Sequence, residues 1–430
     1  MLRYATALAF VAAAAQAQQP ATCDLFCHWR LAVGAEAAGN YAEHLSHVKA
    51  VAALAPSHPG IVYALARAYV RAAQPDSAIA TLDRLGRMGD HHDPDADSAF
   101  RSVQTHRDYI GTRNRLLANR RPGLHGKAAF EIADPDYLPE ALAFDSTRSR
   151  FLIGSLTHRS VSAFAPNGTA TPFVASAPGM LRVVGVHMDA RRHRLWFATW
   201  APDSTARADS AEPPSITRLF MAELPTGRVV KSWMPDARRP GHLLNDFVVM
   251  TDGALFITDT ETGSIYRLRS PDDTLELFLR PDPVHYAVAN GITASPDGRT
   301  LYVAYLQGIA RVDVGSRKIA LLPSPDSVNT SSNDGLYWYR GSLIGVQGMP
   351  TLSRVVRYAL SADGRRITSG AVLERGQPTI DQPTTGTIVG NRFYYIANPQ
   401  YARLDNRTSA LAPQAGTPVR TVIRVIELRP

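Results

Sequence analysis

The sequence predicts a mainly β protein: a six-bladed β-propeller preceded by a small α-helical domain. Three observations carry this. The apolar residues recur at three and four up to about Asn119, and that period disappears after Pro122. Beyond it, apolar runs of four to six residues alternate with Asp-Gly, Asn-Gly and Pro-Asp turns, the pattern of short strands joined by hairpins. One apolar triplet then recurs six times, beginning at Phe151, Leu195, Leu255, Leu301, Leu343 and Phe393. A period near ~45 residues built from short strands signals a propeller with four strands per blade.

Composition agrees and excludes several classes. The chain has 430 residues, 45% of them apolar, enough for two or three domains with a real core. Charged residues make up 20%, an ordinary globular share. Two cysteines exclude a disulfide-dense scaffold and any multi-cysteine metal cluster. The net charge of +8 does not point to nucleic acid. Lysines are confined to Lys49, Lys127, Lys231 and Lys318, and the arginines are dispersed among acids instead of lying on one stripe. No segment approaches the ~20 apolar residues a membrane span needs.

The first segment, residues 1–17, reads as a signal peptide. Arg3 supplies the positive end, an apolar stretch follows, and Ala15-Gln16-Ala17 is a small-x-small cleavage site. This predicts an exported protein, periplasmic or secreted. Cys23 and Cys27 lie four apart, compatible with a local disulfide or with two buried small side chains.

Residues 18–122 form the helical domain. Leu45, Val48, Val51, Ala52 and Ala55 make one apolar stripe. Ile61, Ala64, Leu65, Ala68 and Tyr69 make the next, and Ala78, Ile79, Leu82 and Leu85 a third. Pro59 and Pro75 mark helix starts, where a missing N–H costs nothing. The stretch from Gly39 to Leu85 resembles a tetratricopeptide repeat array, which implies stacked helical hairpins and a possible protein partner. The run DHHDPDAD at 90–97 is rich in metal-binding residue types, but adjacent residues on a loop seldom converge on one ion; it is read as a solvated helix–helix turn.

Residues 123–430 form the propeller. Roughly ten residues upstream of four triplets stand Glu140, Asn245, Asn290 and Asp334. An equivalent blade position points all four into the central channel. Two carboxylates and two amide carbonyls are the hard oxygen donors calcium prefers, whereas zinc would call for histidine or cysteine. The bland alternative is that Asn-Gly and Asn-Asp are turn dipeptides that precede strands.

The segments around these four residues, above all NGITASPDGRTLYVA, resemble the senescence-marker-protein/gluconolactonase/luciferin-regenerating-enzyme family of six-bladed propellers. That family is related to paraoxonases, diisopropylfluorophosphatase and strictosidine-synthase-like proteins. The resemblance covers about residues 126 to 430. It implies that Glu140, Asn245, Asn290 and Asp334 hold calcium or a similar divalent ion. The ion would polarise the carbonyl of a lactone or the phosphoryl oxygen of an organophosphate. Two departures stand out. Leu243 occupies the place of an arginine that family members acting on sugar acids carry, which points away from a sugar acid. Blade two presents Arg182 and Val184 where paraoxonases use a histidine, with His187 further along.

The expected function is that of an exported calcium-dependent hydrolase of the lactonase or esterase type, acting on a small ester, lactone or organophosphate in the channel. Asp334 is the candidate to activate water or attack, with Glu140 mainly a ligand. Arg182, His187 and Tyr401 are candidate substrate-binding residues. The absence of Gly-x-Ser-x-Gly argues against a serine hydrolase. The alternative is a non-catalytic, metal-stabilised propeller that binds a ligand or a protein, since one fold hosts both. Two further expectations concern architecture. A strand near Lys127–Ile132 should close the ring against Arg420–Leu428, and two long loops, Ala201–Ser215 and Gln400–Thr417, should roof the channel mouth.

Overall fold

The computed structural model describes residues 23–123, 126–176, 179–202, 215–235, 241–405, 411–412 and 417–429. The signal peptide expected at 1–17 lies outside the described residues, as do most of the loop expected at 201–215 and part of that expected at 400–417. No helix among the described residues is long and apolar enough to cross a membrane.

The helical region comprises Leu25–Ala37, Tyr41–Leu54, Pro59–Arg71, Pro75–Arg87 and Tyr109–Ala118, with a short 3-10 turn at Ser98–Val103. Local chemistry sets the starts. Asp24 and Asn40 accept backbone N–H groups of the first turn through their side chains, and prolines 59 and 75 open the third and fourth helices. Ala32, Leu45, Val48 and Ala68 pack as one buried cluster, and Val62, Ala66, Ile79, Leu82, Phe100 and Leu116 belong to another. Small alanines at these crossings let the helices approach closely. Cys23 and Cys27 are joined by a disulfide.

The segment 90–97 is a turn with Asp95 and Ala96 exposed, but Asp90 departs from the solvated reading. Asp90 is fully buried and accepts from the N–H of His92 at 2.8 Å and from Thr351 of the propeller at 2.9 Å. Asp95 and Asp97 accept the hydroxyls of Tyr109 and Tyr63. Asp95 and Asp97 thus tie helices of the same region together, and Asp90 ties that region to the propeller. Among the described residues, no group of three His, Cys, Asp or Glu side chains could hold a metal ion.

From Gly126 onward the chain builds six four-stranded antiparallel sheets. Their innermost strands are Pro139–Asp145, Arg182–Asp189, Leu244–Val249, Ile292–Ala294, Asn333–Tyr339 and Gly386–Val389. The six recurring triplets all fall on the second strand of a blade. These strands are covered on both faces by neighbouring blades, so they read as continuous apolar runs; all six residues of Thr300–Tyr305 are buried. Two glycines permit the inner strands to crowd together. A Cβ on Gly185 would meet the Asn245 carbonyl oxygen at 2.2 Å, and one on Gly291 would meet the Leu336 nitrogen at 2.6 Å.

The ring closes as expected. Gly126–Glu131 is the outermost strand of the sixth blade and pairs antiparallel with Val422–Glu427, Lys127 facing Val425. Both ends of the propeller chain therefore share one sheet, and no edge is left open at the join. Behind this pairing Arg424 donates to Glu374 at 3.1 Å and to the Gly126 carbonyl at 3.1 Å.

The helices dock on one mouth of the channel. Ser57 meets the Gln307 carbonyl and the Thr330 hydroxyl at 3.3 Å each, and Ser331 donates to the Ser57 carbonyl at 3.0 Å. Leu306 packs against the cluster of Leu25, Val51, Ala55 and Ile61. Leu306–Gln307 links the second and third strands of blade four, and residues 330–332 lead into the first strand of blade five. In antiparallel blades both connections lie at the end where the first strands begin. The helices thus stand over the mouth that carries Asn290 and Asp334.

Candidate functional site

Three of the four candidate ligands follow a residue with left-handed backbone two positions earlier. Leu138 precedes Glu140 with φ of 26°, Val288 precedes Asn290 with φ of 57°, and Ser332 precedes Asp334 with φ of 60°. A positive φ is unfavourable for any side chain and most of all for a β-branched one such as Val288. Such strain costs on the order of 1–3 kcal/mol and persists only where the surroundings impose it. Here it accompanies the turn by which each chain enters its inner strand.

Two of the four side chains, Asn290 and Asp334, touch, and Glu140 feels the charge of Asp334. Asn290 Nδ2 donates to Asp334 Oδ1 at 2.6 Å, while Asn290 Oδ1 is buried without a hydrogen-bond partner. Asn245 Nδ2 donates to Thr260 Oγ1 at 3.0 Å, and Thr260 donates to the carbonyl of Ala289 at 2.7 Å, which links blade three to the residue before Asn290. The Tyr401 hydroxyl donates to Glu140 Oε2. Thr384 and Thr385 donate to the Glu140 carbonyl at 3.1 and 2.7 Å and so fix its backbone.

Electrostatics mark the same point. Burial, and then the charge of Asp334, push Glu140 well above the usual carboxylate range, partly opposed by the Tyr401 hydrogen bond. Burial raises Asp334 to about 6; its bond from Asn290 opposes the rise and nearby Asp246 adds to it. Burial, Glu140 and Asp334 together hold Tyr401 firmly protonated. Two buried carboxylates, both pushed up by burial and Glu140 also by the charge of Asp334, stand with an amide oxygen that has no donor; a bound cation would satisfy this donor set. The residues present therefore fit a calcium-like ion.

The remaining sequence candidates have other partners. His187 lies further along the blade-two strand. Its Nε2 pairs with Asp246 at 2.7 Å, and its ring packs on Phe247 with centroids 4.6 Å apart. Arg182 is buried, donates to the Asp405 carbonyl at 3.0 Å and lies over the Trp200 ring at 5.2 Å. It holds the segment that carries Tyr401, and Tyr401 is the one of the three that reaches a candidate ligand.

Two residues escape the sequence reading. Asp246 follows Asn245 directly and accepts from His187, from the Phe247 N–H at 2.9 Å and from the Ile292 N–H at 3.2 Å, tying blades two, three and four together. The adjacent acid in LNDFVV was the available signal. The second is His58, from the helical region. A cavity of about 240 Å³ is lined by His58 together with Asn290 and Asp334. Its other walls are mainly Val288, Ala304, Tyr305, Leu306 and Met349. Nothing in the helical sequence identifies a residue that will reach a channel built by strands more than two hundred positions away.

Comparison with known proteins gives one family match and several likenesses of fold. The tetratricopeptide repeat family matches residues 35–100. No curated protein matches the chain. Among solved structures, the chain is similar to a gluconolactonase from Xanthomonas campestris, 18% identical, covering 71% of this chain and 96% of that one with a TM-score of 0.45. It is similar to regucalcin, a calcium-binding protein from Agrobacterium tumefaciens, at 18% identity, 70% and 96% coverage and a TM-score of 0.45. Virginiamycin B lyase from Staphylococcus aureus follows at 12% identity, 72% and 100% coverage and a TM-score of 0.43.

Proposed function

We propose that the protein is an exported, calcium-dependent hydrolase of the lactonase or esterase type, acting on a small ester, lactone or organophosphate in the propeller channel. The observation that carries this is the buried, partnerless Asn290 Oδ1 beside Asp334 and near Glu140. Glu140, Asn245, Asn290 and Asp334 would hold the ion. When bound, it would supply a Lewis acid for the carbonyl or phosphoryl oxygen of the substrate.

The chain's own groups supply the rest. Asp334 would take a proton from water as the water oxygen bonds to the acyl carbon, and that proton would pass to the departing alkoxide oxygen as its bond to carbon breaks. Asn290 orients the Asp334 carboxylate for this through the 2.6 Å bond. Tyr401 positions Glu140 and, being held protonated, remains a donor. The surrounding burial excludes bulk water and strengthens these interactions. Export is supported by the signal sequence at 1–17 and by the Cys23–Cys27 disulfide, which suits an oxidising compartment.

The docked tetratricopeptide-like helices favour one second reading, a metal-stabilised binding module with a protein partner. The test separates them. Metal analysis of the purified protein should find one calcium per chain. A panel of esters, lactones and organophosphates should show turnover that chelator abolishes and calcium restores. Calcium binding with no turnover across the panel would favour the binding module; no metal binding would sink both.

A further inference from the structure

The cavity at the channel mouth is built by two parts of the chain. Propeller residues, Asn290 and Asp334 among them, and the helical residue His58 line it together. His58 Nδ1 accepts the N–H of Ile61 at 3.3 Å. A neutral imidazole whose Nδ1 is an acceptor carries its hydrogen on Nε2. His58 is thus a fixed donor on a residue locked to the start of a helix, and that helix is anchored by Ser57 to blades four and five. The other walls are mainly apolar, and their polar side chains have partners: the Tyr305 hydroxyl donates to the Gly263 carbonyl at 3.1 Å, Ser332 Oγ to Met349 Sδ at 2.8 Å and Asn333 Nδ2 to the Thr330 carbonyl at 2.9 Å. At about 240 Å³ the space is below the usual range of drug-sized pockets, roughly 300–1,000 Å³.

We propose that His58 is a specificity-determining residue of the channel site, donating from Nε2 to an oxygen of a compact, largely aliphatic lactone or ester whose reacting end lies at Asn290 and Asp334. This rests on the hydrolase reading above and narrows it. One donor set among apolar walls suits a hydrocarbon ring or short chain, whereas a polyhydroxylated ring would leave its hydroxyls unpaired against Val288, Leu306 and Met349. The helical region is then part of the binding site and limits substrate size.

The test uses the full-length, calcium-loaded protein and δ-valerolactone, with gluconolactone and a long-chain δ-lactone as comparisons. His58→Asn keeps a side-chain acceptor for the Ile61 N–H, so the helix start survives, but its shorter amide no longer extends a donor across the cavity. The expected result is a KM for δ-valerolactone raised about tenfold with kcat nearly unchanged and melting temperature near wild type. Independently of turnover, histidine-selective NMR should show the His58 Nε2–H signal, identified by its loss in the variant, shifting saturably with δ-valerolactone. Hydrolysis with an unmoved His58 signal, or an unchanged KM in His58→Asn, overturns the proposal and leaves the hydrolase reading standing. A saturable shift without turnover supports the subsite and sinks the hydrolase reading. Neither shift nor turnover overturns both.

Discussion

Asn290 donates its amide hydrogen to Asp334 across 2.6 Å while its own carbonyl oxygen is buried with no donor in reach. One side chain therefore does two things: it orients the carboxylate and presents a free lone pair beside it. Replacing Asn290 with Ala removes both. Calcium affinity, measured by titration calorimetry, is expected to fall at least about tenfold, the equivalent of roughly 1.4 kcal/mol. Asn290→Asp keeps an oxygen donor and adds charge, so it should retain calcium while destabilising the metal-free protein. Equal calcium affinity in wild type and Asn290→Ala would remove Asn290 from the ligand set.

The raised carboxylates give the metal-free protein a distinctive pH dependence. Asp334 stands at about 6 in the folded chain against an ordinary value of 3.8. The folded state then holds a proton that the unfolded state has lost, so stability falls as pH rises from about 4 to about 6 and levels off above. The upper bound for this group is roughly 3 kcal/mol. Glu140, shifted in the same direction, contributes a loss of the same sign. In chelator, denaturant midpoints should therefore decline across this window. In saturating calcium the decline should shrink or vanish, and in Asp334→Asn its Asp334 component should be absent. A midpoint independent of pH in chelator would contradict the buried-carboxylate account.

Much of this arrangement is legible in the residues. The switch of period at Pro122 and the six triplets mark helices and blades because each second strand is covered on both faces and must be apolar throughout. The shared blade position of the four candidates is legible too: Glu140, Asn245 and Asp334 each stand second in an inner strand, and Asn290 stands two residues before one. Two things are not. Asp90 looks like part of a solvated acidic loop, yet it is buried because it caps its own loop and bonds Thr351, a partner no local pattern reveals. His58 looks like a turn residue between two prolines, and its place in the cavity depends on how two independently patterned regions dock.

Closure of the ring depends on a buried ion pair. Glu374, fully buried, accepts from Arg424 and from the Tyr395 hydroxyl at 2.8 Å, and Arg424 also reaches the first strand at Gly126. Arg424→Ala would leave Glu374 without its cation, a change expected to cost about 3–5 kcal/mol. Glu374→Gln keeps the geometry and should cost less. Truncation before Arg420 removes the whole Val422–Glu427 strand and should yield no cooperatively melting protein. A soluble truncation with a sharp melt would show that the closing strand is dispensable.

The helices and the propeller should unfold as one unit, and Asp90 is the residue that tests this. It accepts from the His92 backbone at 2.8 Å, from His92 Nδ1 at 2.6 Å and from Thr351 at 2.9 Å, while the His92 ring stacks on Tyr63 with centroids 3.9 Å apart. The same carboxylate thus orders the end of the helical hairpin and ties it to blade five. Asp90→Ala leaves three donors without an acceptor in a buried seam, at a cost of about 1–3 kcal/mol for each that water cannot reach. Asp90→Asn preserves one acceptor and should lose less. Far-ultraviolet circular dichroism reports mainly the helices, and fluorescence reports mainly the tryptophans of the blades, Trp196, Trp200, Trp233 and Trp338. In wild type the two denaturation curves should coincide. In Asp90→Ala the helical signal should be lost first, because the helices are then held to the propeller without this buried carboxylate, by the Ser57 and Leu306 contacts and the His91–Thr351 and Asn119–Arg375 bonds. Curves that remain coincident, with a stability loss under about 1 kcal/mol, would mean that the seam around Ser57 and Leu306 carries the docking and that Asp90 does not.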